Sequence, residues 1–457
     1  MAWRRDRNTD GRIDIGLAYT ANANTYWRSA ADAFYTQHGL CLSGVAMNKI
    51  LAGTVVLDLT LFFSGPQATL LLAGMGAEVI KIDDPATGDP TAFSPPFAGP
   101  DGIGFERRTD ADMGIAYLKR ARGKKSVLLD LKKPEGHATF LRLVSAADVV
   151  IDNFSAGVAE RLGIDYASLV KVNPRIISCS LTGYGGKGPD ANLKAYDLMV
   201  QAAVGLMGVT GHADSPPVKA GSPLSDAVAG VFAANGVVAA LLHREKTGEG
   251  QAVDVAMADC LFSLVFDEPF DCYDQLGLPQ RQGSRIMRFS PFNAYECLDG
   301  WVTLGAATTA DWLALLRTMG RLELADDPRM MNVAWRLANN AVIDDVVSSW
   351  TARMEVAQIV SMLNAANVPC SPVRSVDDVL AWPHLRERNM VQTLWNPLAA
   401  APTQAVGPGF PLKFSGTSAD YDAPAPLPGQ HSREVLARLG GLSDDELASL
   451  VQARIVA

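Results

Sequence analysis

Asp226 is the residue whose position in the sequence offers the most chemistry. It follows a segment rich in proline and glycine, residues 216–225, and precedes a long run of small apolar residues that begins at Ala227. This pattern predicts a helix with Ser225 or Asp226 at its N-cap. A carboxylate there lies near the positive end of the helix dipole and near unpaired backbone N–H groups. Capping is the ordinary role of such a residue, so other features must decide whether Asp226 reacts.

The residues that most hydrolytic mechanisms need are missing from this sequence. None of the six histidines lies in a Ser/His/Asp or HExxH context, and the sequence has no GxSxG motif, P-loop or cluster with metal-ligand spacing. A carboxylate can still attack an activated acyl group as a covalent nucleophile. Such a site must exclude water and supply donors for the oxyanion, and we expect the backbone N–H groups beside Asp226 to be those donors.

Size and composition limit the possible classes of protein. With 457 residues the chain is expected to form two domains, and its net charge of −9 argues against nucleic-acid and anionic-membrane partners. The six cysteines lack CxxC and zinc-site spacing, which indicates reduced thiols and a cytoplasmic protein. The most apolar run, residues 227–242, is too short to span a membrane and contains Asn235, so we predict a buried core helix.

Short apolar runs alternate with amphipathic segments through the first half of the chain. The predicted strands are residues 55–59, 77–82, 125–131, 149–151, 175–179 and 251–257. Nearly continuous apolar strands between helices predict an α/β fold with a Rossmann-like parallel sheet. The GxGxxG match at residues 183–188 follows a late strand and is followed at once by Pro189, so it is a weak indication of nicotinamide binding.

The predicted domain boundaries follow changes in this pattern. Residues 1–50 form an N-terminal extension of unclear role, residues 51–262 the large domain, and residues 263–284 a linker. Residues 285–380 are expected to form a smaller α+β domain, because Asp299-Gly300 between two strand patterns indicates a hairpin. Residues 381–457 are predicted to be a strap, rich in proline and glycine, with two helices that return to the large domain.

An ordered set of short motifs resembles the family III CoA-transferases, also called the CaiB/BaiF family. Each motif alone is weak, but together they cover the chain except for residues 1–50. They are LDLT (57–60) with GP (65–66), GAEVIKI (76–82), KKSVLLDLK (124–132), ADVVIDNF (147–154), GYG (183–185) with GP (188–189), YD (196–197), QA (201–202), TG and GQ within 247–251, DG (299–300), VP (368–369) and PLKFS (411–415).

The resemblance implies that Asp226 is a nucleophile that forms covalent aspartyl intermediates while CoA moves from an acyl-CoA thioester to a carboxylic acid. It also implies that CoA thioesters are substrates, with no permanently bound cofactor, and that two chains interlock as a homodimer. By position, the residues that resemble substrate and CoA contacts in the family are Phe63, Ser64, Leu129, Lys132, Asn153, Phe154, Arg161 and Lys194.

Two differences from formyl-CoA transferase limit the range of expected substrates. Formyl-CoA transferase has a basic residue just after the second strand, where this chain has Asp83-Asp84, so one phosphate contact is in doubt. It also has a glutamine before its first Gly-Pro and a run of glycines in the smaller domain. This chain has Phe63-Ser64 before Gly65 and no glycine run near residues 283–293. Oxalate and formyl-CoA are therefore not the expected substrates.

Two alternatives stay open at this point. An acyl-CoA racemase, resembling α-methylacyl-CoA racemase, would use Asp197 as a second acid or base, but no histidine lies between His137 and His212 to act as its partner. A non-catalytic CoA-binding protein is the other alternative, and the intact Asp226 with its surrounding motif argues against it.

Overall fold

A computed structural model describes residues 49–457 of the chain. The predicted N-terminal extension therefore lies outside the described residues, apart from its last two. The strands, in chain order, are β1 (Val55–Asp58), β2 (Glu78–Asp83), β3 (Phe97–Gly99), β4 (Gly102–Gly104), β5 (Met113–Gly114), β6 (Lys124–Leu128), β7 (Val149–Asp152), β8 (Ile177–Thr182), β9 (Ala252–Ala256), β10 (Phe292–Glu296), β11 (Trp301–Gly305), β12 (Cys370–Pro372), β13 (Val391–Asn396) and β14 (Ala401–Pro408).

Helices connect most of these strands. In chain order they are α1 (Ser64–Gly74), α2 (Ile115–Arg120), α3 (Pro134–Ser145), α4 (Val158–Leu162), α5 (Tyr166–Leu169), α6 (Asp197–Ala203), α7 (Leu206–Val209), α8 (Leu224–Thr247), α9 (Met257–Val265), α10 (Thr309–Met319), α11 (Pro328–Met331), α12 (Val333–Ala338), α13 (Asn340–Thr351), α14 (Val356–Ala365), α15 (Val376–Ala381), α16 (Pro383–Glu387), α17 (Ser432–Arg438) and α18 (Asp444–Gln452). Short 3-10 helices cover Pro90–Ala92, Phe270–Cys272, Asp274–Leu276 and Leu322–Asp326.

The described chain divides into two compact units. The first contains residues up to 204, residues 221–265 and residues 386–457, and the second contains residues 205–220 and 266–385. The second unit includes residues 205–220, which the sequence pattern placed within the large domain. It also includes residues 266–284, which the sequence pattern placed in a linker.

The first unit is built on a six-stranded sheet with the spatial order β6-β2-β1-β7-β8-β9. Every neighbouring pair in it is parallel, which confirms the predicted α/β fold with a parallel sheet. Its central strands have apolar residues on both faces because helices cover both sides. Two small antiparallel sheets, β4-β3-β5 and β13-β14, complete this unit.

The C-terminal segment packs on the first unit. The backbone N–H of His431 donates to the carbonyl of Ser126 at 2.9 Å, and Leu129 forms an antiparallel bridge with Val456. Its apolar residues, including Val435 and Leu450, join the core that lies beneath the sheet. The last strand residues of β6 are therefore covered by the end of the chain.

The second unit has a separate core. The strands β10, β11 and β12 form an antiparallel sheet, and the predicted hairpin is the β10–β11 pair. Helices α10, α13 and α14 pack their apolar faces around Trp312, which is fully buried. This unit therefore has the α+β composition that the sequence predicted.

Helix α8 was predicted to be a buried core helix, and the structure shows this for part of its surface. It is long and apolar enough to cross a membrane by length and composition, with a mean hydropathy of 1.6, and 44% of that apolar window is buried. Ala229, Ala233 and Val237 are buried within the first unit, whereas Val231 and Leu242 are exposed. One side of α8 is thus core and another side is an uncovered apolar face.

A network of buried charges holds the loop between β1 and α1. Lys124 Nζ lies 3.0 Å from Asp58 Oδ2 and also donates to the carbonyl of Pro66 at 3.1 Å. Lys81 Nζ donates to the carbonyl of Thr60 at 2.7 Å and pairs with Asp83 at 2.9 Å and with Asp89 at 3.0 Å. Burial without these partners would cost several kcal/mol per charge, so each lysine fixes the loop that it touches.

We expect the substitution Lys124→Gln to lower the free energy of unfolding by about 3–5 kcal/mol, because it leaves the buried Asp58 carboxylate without its cation. Lys125→Gln is the matched control on the same strand: Lys125 pairs with Glu78 and Glu434 near the surface, and its loss should cost less than about 1 kcal/mol. Urea denaturation followed by circular dichroism measures both. Equal costs for the two variants would contradict this account of the buried pair.

Candidate active site

Asp226 lies in the first turn of α8 as the third helical residue. The N-cap is Pro223, with φ −68°, and it has no side-chain capping bond. The prediction of Ser225 or Asp226 as the N-cap was therefore wrong. Proline has a fixed φ and no N–H, so it suits the start of a helix, where an N–H would lack an intrahelical partner.

The cap is supplied from another helix by Asp197, the first residue of α6. Its Oδ1 accepts from the backbone N–H of Ser225 at 2.8 Å, from the Ser225 hydroxyl at 2.7 Å and from the N–H of Asp226 at 3.4 Å. Its Oδ2 accepts from Gln201 Nε2 at 2.7 Å. The expectation that these backbone N–H groups are free to hold an oxyanion was therefore wrong, because a carboxylate of the protein already occupies them.

The N-terminus of a second helix, α1, lies on the other side of Asp226. The hydroxyl of Ser64, the first residue of α1, lies beside the Asp226 carboxylate and favours its ionised form. The two helices come close because Gly230, one turn after Asp226, has no side chain. A Cβ on Gly230 would lie 2.7 Å from the carbonyl oxygen of Ser64. The positive ends of two helix dipoles thus converge on one carboxylate.

The protonation of Asp226 reflects these surroundings. Partial burial and the negative charge of Asp197 raise the pKa of Asp226 to about 6, while the charge of Arg120 and the hydrogen bond from Ser64 act in the opposite direction. Burial disfavours the ionised form, and a neighbouring carboxylate adds repulsion. Asp226 is therefore ionised at neutral pH and is more basic than an ordinary aspartate.

Arg120, the last residue of α2, is a charged neighbour that the sequence analysis missed. Its guanidinium lies 4.0 Å from the centre of the Phe63 ring, and its Nη1 donates to the carbonyl of Phe62 at 2.6 Å. No sequence signal distinguished it from Lys119 and Arg122 on either side. Only the packing of α2 against the β1–α1 loop brings it to the site.

The residues predicted to contact substrate follow the carboxyl ends of neighbouring strands. Phe63 and Ser64 follow β1, Leu129 and Lys132 follow β6, and Asn153 and Phe154 follow β7. Asn153 fixes the β1–α1 loop: its Oδ1 accepts from Leu61 N–H at 2.9 Å and its Nδ2 donates to the Leu61 carbonyl at 2.7 Å. Phe154 is half-buried against the core.

The predicted cationic contacts differ in their surroundings. Lys132 pairs with Asp84 at 2.7 Å, and its side chain is 72% exposed. Among the described residues, Arg161 in α4 and Lys194 before α6 are exposed cations without an ion pair. The Leu129 side chain is buried in the core, so its backbone is the part that lies at the edge of the sheet. Asp84, one of the two acidic departures, is thus the ion-pair partner of Lys132.

Comparisons with known proteins identify the family of this chain. Residues 51–432 match the family model described as CoA-transferase family III. The chain belongs to this family. It is similar to the succinate–glutarate CoA-transferase of Agrobacterium fabrum, with 33% identity over 393 residues that cover 85% of this chain and 95% of that enzyme.

Another CoA-transferase and a solved structure are also similar to this chain. The chain is 35% identical over 390 residues to the succinyl-CoA:mesaconate CoA-transferase of Haloarcula hispanica, covering 84% of this chain and 95% of that enzyme. A solved CaiB/BaiF family protein from Brucella suis superimposes with a TM-score of 0.73 at 30% identity, covering 86% of this chain and all of the other. The chain is therefore an enzyme that moves CoA from an acyl-CoA thioester to a carboxylic acid.

The pKa of Asp226 predicts how a step that uses its ionised form depends on pH. If Asp226 attacks an acyl-CoA, the rate of its covalent modification should fall as pH drops through about 6, because protonation removes the ionised carboxylate. Ser64→Ala removes the hydroxyl that favours the ionised form of Asp226. It should therefore move the acidic limb of the pH–rate profile, where the rate falls, to higher pH. Labelling rates measured across acidic and neutral pH test both expectations.

Ser168→Ala is the matched control for this experiment. Ser168 donates to the Asp165 carboxylate at 2.7 Å, a bond of the same kind that does not involve Asp226. Its loss should leave the acidic limb in place. A limb that moves to lower pH in Ser64→Ala would contradict the role assigned to Ser64.

Proposed function

We propose that Asp226 is the nucleophile that carries the acyl group and then CoA during transfer. The observation that supports this most is the convergence of two helix N-termini on one partly buried carboxylate whose pKa is about 6. Such a group is ionised at neutral pH and is still a better nucleophile than a fully solvated aspartate. The resemblance implies the same task for this residue.

The proposed steps exchange carboxylates and thiolates only. Asp226 attacks the thioester carbonyl, the C–S bond breaks, and CoA leaves as a thiolate from the mixed anhydride. The thiolate attacks the aspartyl carbonyl and releases the donor acid, which leaves an aspartyl-CoA thioester. The acceptor carboxylate attacks this thioester to form a second anhydride, and the thiolate then takes the acceptor acyl group and frees Asp226.

No proton is gained or lost over this cycle, so it requires no general acid. The site must instead stabilise oxyanions and exclude water from the anhydride. Because Asp197 occupies the donors of α8, we assign the first turn of α1 to the oxyanions. Its N-terminus faces Asp226 through Ser64.

We propose that CoA lies along the carboxyl ends of β1, β6 and β7. The exposed cations Lys132, Arg161 and Lys194 would contact its phosphates, since Lys and Arg are the ordinary phosphate-binding side chains. The remaining residues assigned to the ligand, near its pantetheine and thioester, are Phe63, Ser64, Leu129, Asn153 and Phe154. The lack of a permanently bound cofactor and the cytoplasmic location stay predictions.

No observation favours the racemase alternative. A second base at Asp197 would have to accept a proton from the α carbon, yet both of its oxygens accept hydrogen bonds from Ser225 and Gln201. Breaking these bonds would uncap α8 beneath Asp226. We therefore assign Asp197 a positioning role.

The covalent mechanism predicts that Asp226→Asn loses transfer by at least about a thousand-fold and takes up no label. The test incubates protein with an acyl-CoA, adds hydroxylamine, and maps the modified peptide by mass spectrometry. Asp197→Asn is the control: it keeps an oxygen for the α8 cap, removes a like charge, and should still be labelled at Asp226. If no label forms and solvent deuterium enters the α carbon of the acyl group, the racemase replaces this proposal.

We also propose that the chain works as a homodimer. Within the first unit, α6, α8 and the end of α9 carry several exposed apolar side chains, including Leu198, Met199, Val231, Leu242 and Leu264. A set of this kind exceeds the scattered single apolar residues of an ordinary surface and indicates a covered interface. A second copy of this chain is the partner that the resemblance implies.

The substitution Leu242→Glu should shift the protein from dimer to monomer, because it places a charge on this apolar face. Val451→Glu on α18 is the matched control: Val451 and Leu242 are 55% and 57% exposed, and Val451 lies outside the proposed interface. Light scattering after size-exclusion chromatography gives the mass of each variant. A wild-type protein that is monomeric at working concentration would end this proposal.

A further inference from the structure

The positively charged side chain of Arg120 forms no ion pair with a carboxylate of residues 49–457. Its guanidinium has five N–H donors, and in residues 49–457 it makes one hydrogen bond, to the carbonyl of Phe62, and no ion pair. Burial lowers its pKa, so part of its hydration is already lost. A half-buried guanidinium with unused donors is an incomplete anion site.

The neighbouring Arg122 differs, because all of its guanidinium nitrogens have hydrogen-bond acceptors within the fold. Its Nε donates to the Lys119 carbonyl at 2.9 Å, its Nη1 to Gln392 Oε1 at 2.9 Å and its Nη2 to the Pro408 carbonyl at 2.8 Å. All three nitrogens of Arg122 therefore have an acceptor. Arg120 has guanidinium nitrogens without an acceptor, whereas every guanidinium nitrogen of Arg122, two residues later, has one. This difference indicates that Arg120 has a role other than packing.

Arg120 lies close to Asp226, because both lie beside consecutive residues of the chain. The guanidinium stacks on Phe63 at 4.0 Å from the ring centre, and the hydroxyl of the next residue, Ser64, lies beside the Asp226 carboxylate. Phe62, whose carbonyl holds Arg120, has a φ of +67°. A non-glycine residue in this region is strained, and such strain is concentrated at binding and catalytic sites. The guanidinium is thus held beside the nucleophile without pairing with it.

We propose that Arg120 binds the second carboxylate of a dicarboxylic acid whose other carboxyl group exchanges CoA at Asp226. This inference rests on the proposed function of Asp226 and adds the class of substrate. Arginine suits this task because its planar guanidinium can donate two parallel hydrogen bonds to one carboxylate. A monocarboxylic acid would leave the donors of Arg120 unpaired, so the site would select against it.

The test uses donor CoA thioesters alone, so that only the covalent steps on Asp226 that precede the acceptor are measured. Succinyl-CoA and butyryl-CoA have acyl chains of the same length, and only the succinyl group has a distal carboxylate. For the wild-type protein we expect labelling at Asp226 to be faster with succinyl-CoA. Arg120→Gln should slow labelling by succinyl-CoA by about 10- to 100-fold and labelling by butyryl-CoA by less than about threefold.

Two further variants separate recognition from general effects of charge. Lys119→Gln removes the same charge one residue away and should leave the preference for succinyl-CoA unchanged. Arg120→Lys keeps the charge but loses the planar fork, so it should recover part of the preference. Equal slowing of both thioesters by Arg120→Gln would overturn the proposal and show that Arg120 acts on Asp226 instead.

The failure of this inference can be told apart from failure of the proposed function. A wild-type protein that is labelled at Asp226 equally fast by both thioesters would refute the role of Arg120 and leave the nucleophile in place. A wild-type protein that is labelled at Asp226 by neither, nor by any other acyl-CoA that it consumes, would refute the aspartyl mechanism itself.

Discussion

The loop between β1 and α1 is the element on which the candidate site depends, and two buried lysines hold it. Lys81 and Lys124 extend from β2 and β6 and donate to the carbonyls of Thr60 and Pro66, at the two ends of this loop. Both charges lie in the protein interior, where these hydrogen bonds and the carboxylates of Asp58, Asp83 and Asp89 offset the cost of burial. A displaced loop would leave polar groups unpaired on both sides, so its conformation is strongly determined.

The same loop sets the surroundings of Asp226. Ser64, just after it, lies beside the Asp226 carboxylate, and Phe63 stacks against Arg120. Across from it, Asp197 closes the start of α8 and adds a negative charge that raises the pKa of Asp226. Asp226 is thus held between a donor and a cation on one side and a second carboxylate on the other. This balance keeps it ionised at neutral pH and basic enough to attack.

Some expectations from the sequence failed for an identifiable reason. The helix start beside Asp226 was expected to offer free N–H groups, but a carboxylate 28 residues away in the chain accepts from two of them. Helix starts attract anions in general, and the sequence contains many aspartates that could reach one. Which anion arrives depends on how α6 packs against α8, and this packing has no local signature.

Sequence patterns alone predicted the parallel sheet, the approximate strand limits and the family, and they singled out Asp226 as the candidate nucleophile. Those features rest on apolar runs, glycine and proline positions and short motifs, all of which are local in the chain. The folded chain was needed to show that Asp197 caps α8, that α1 packs closely against Gly230, and that Arg120 rather than Arg122 lies near Asp226 with unused donors. Each of these contacts joins residues that are distant in sequence, so no spacing or composition within a segment encodes it.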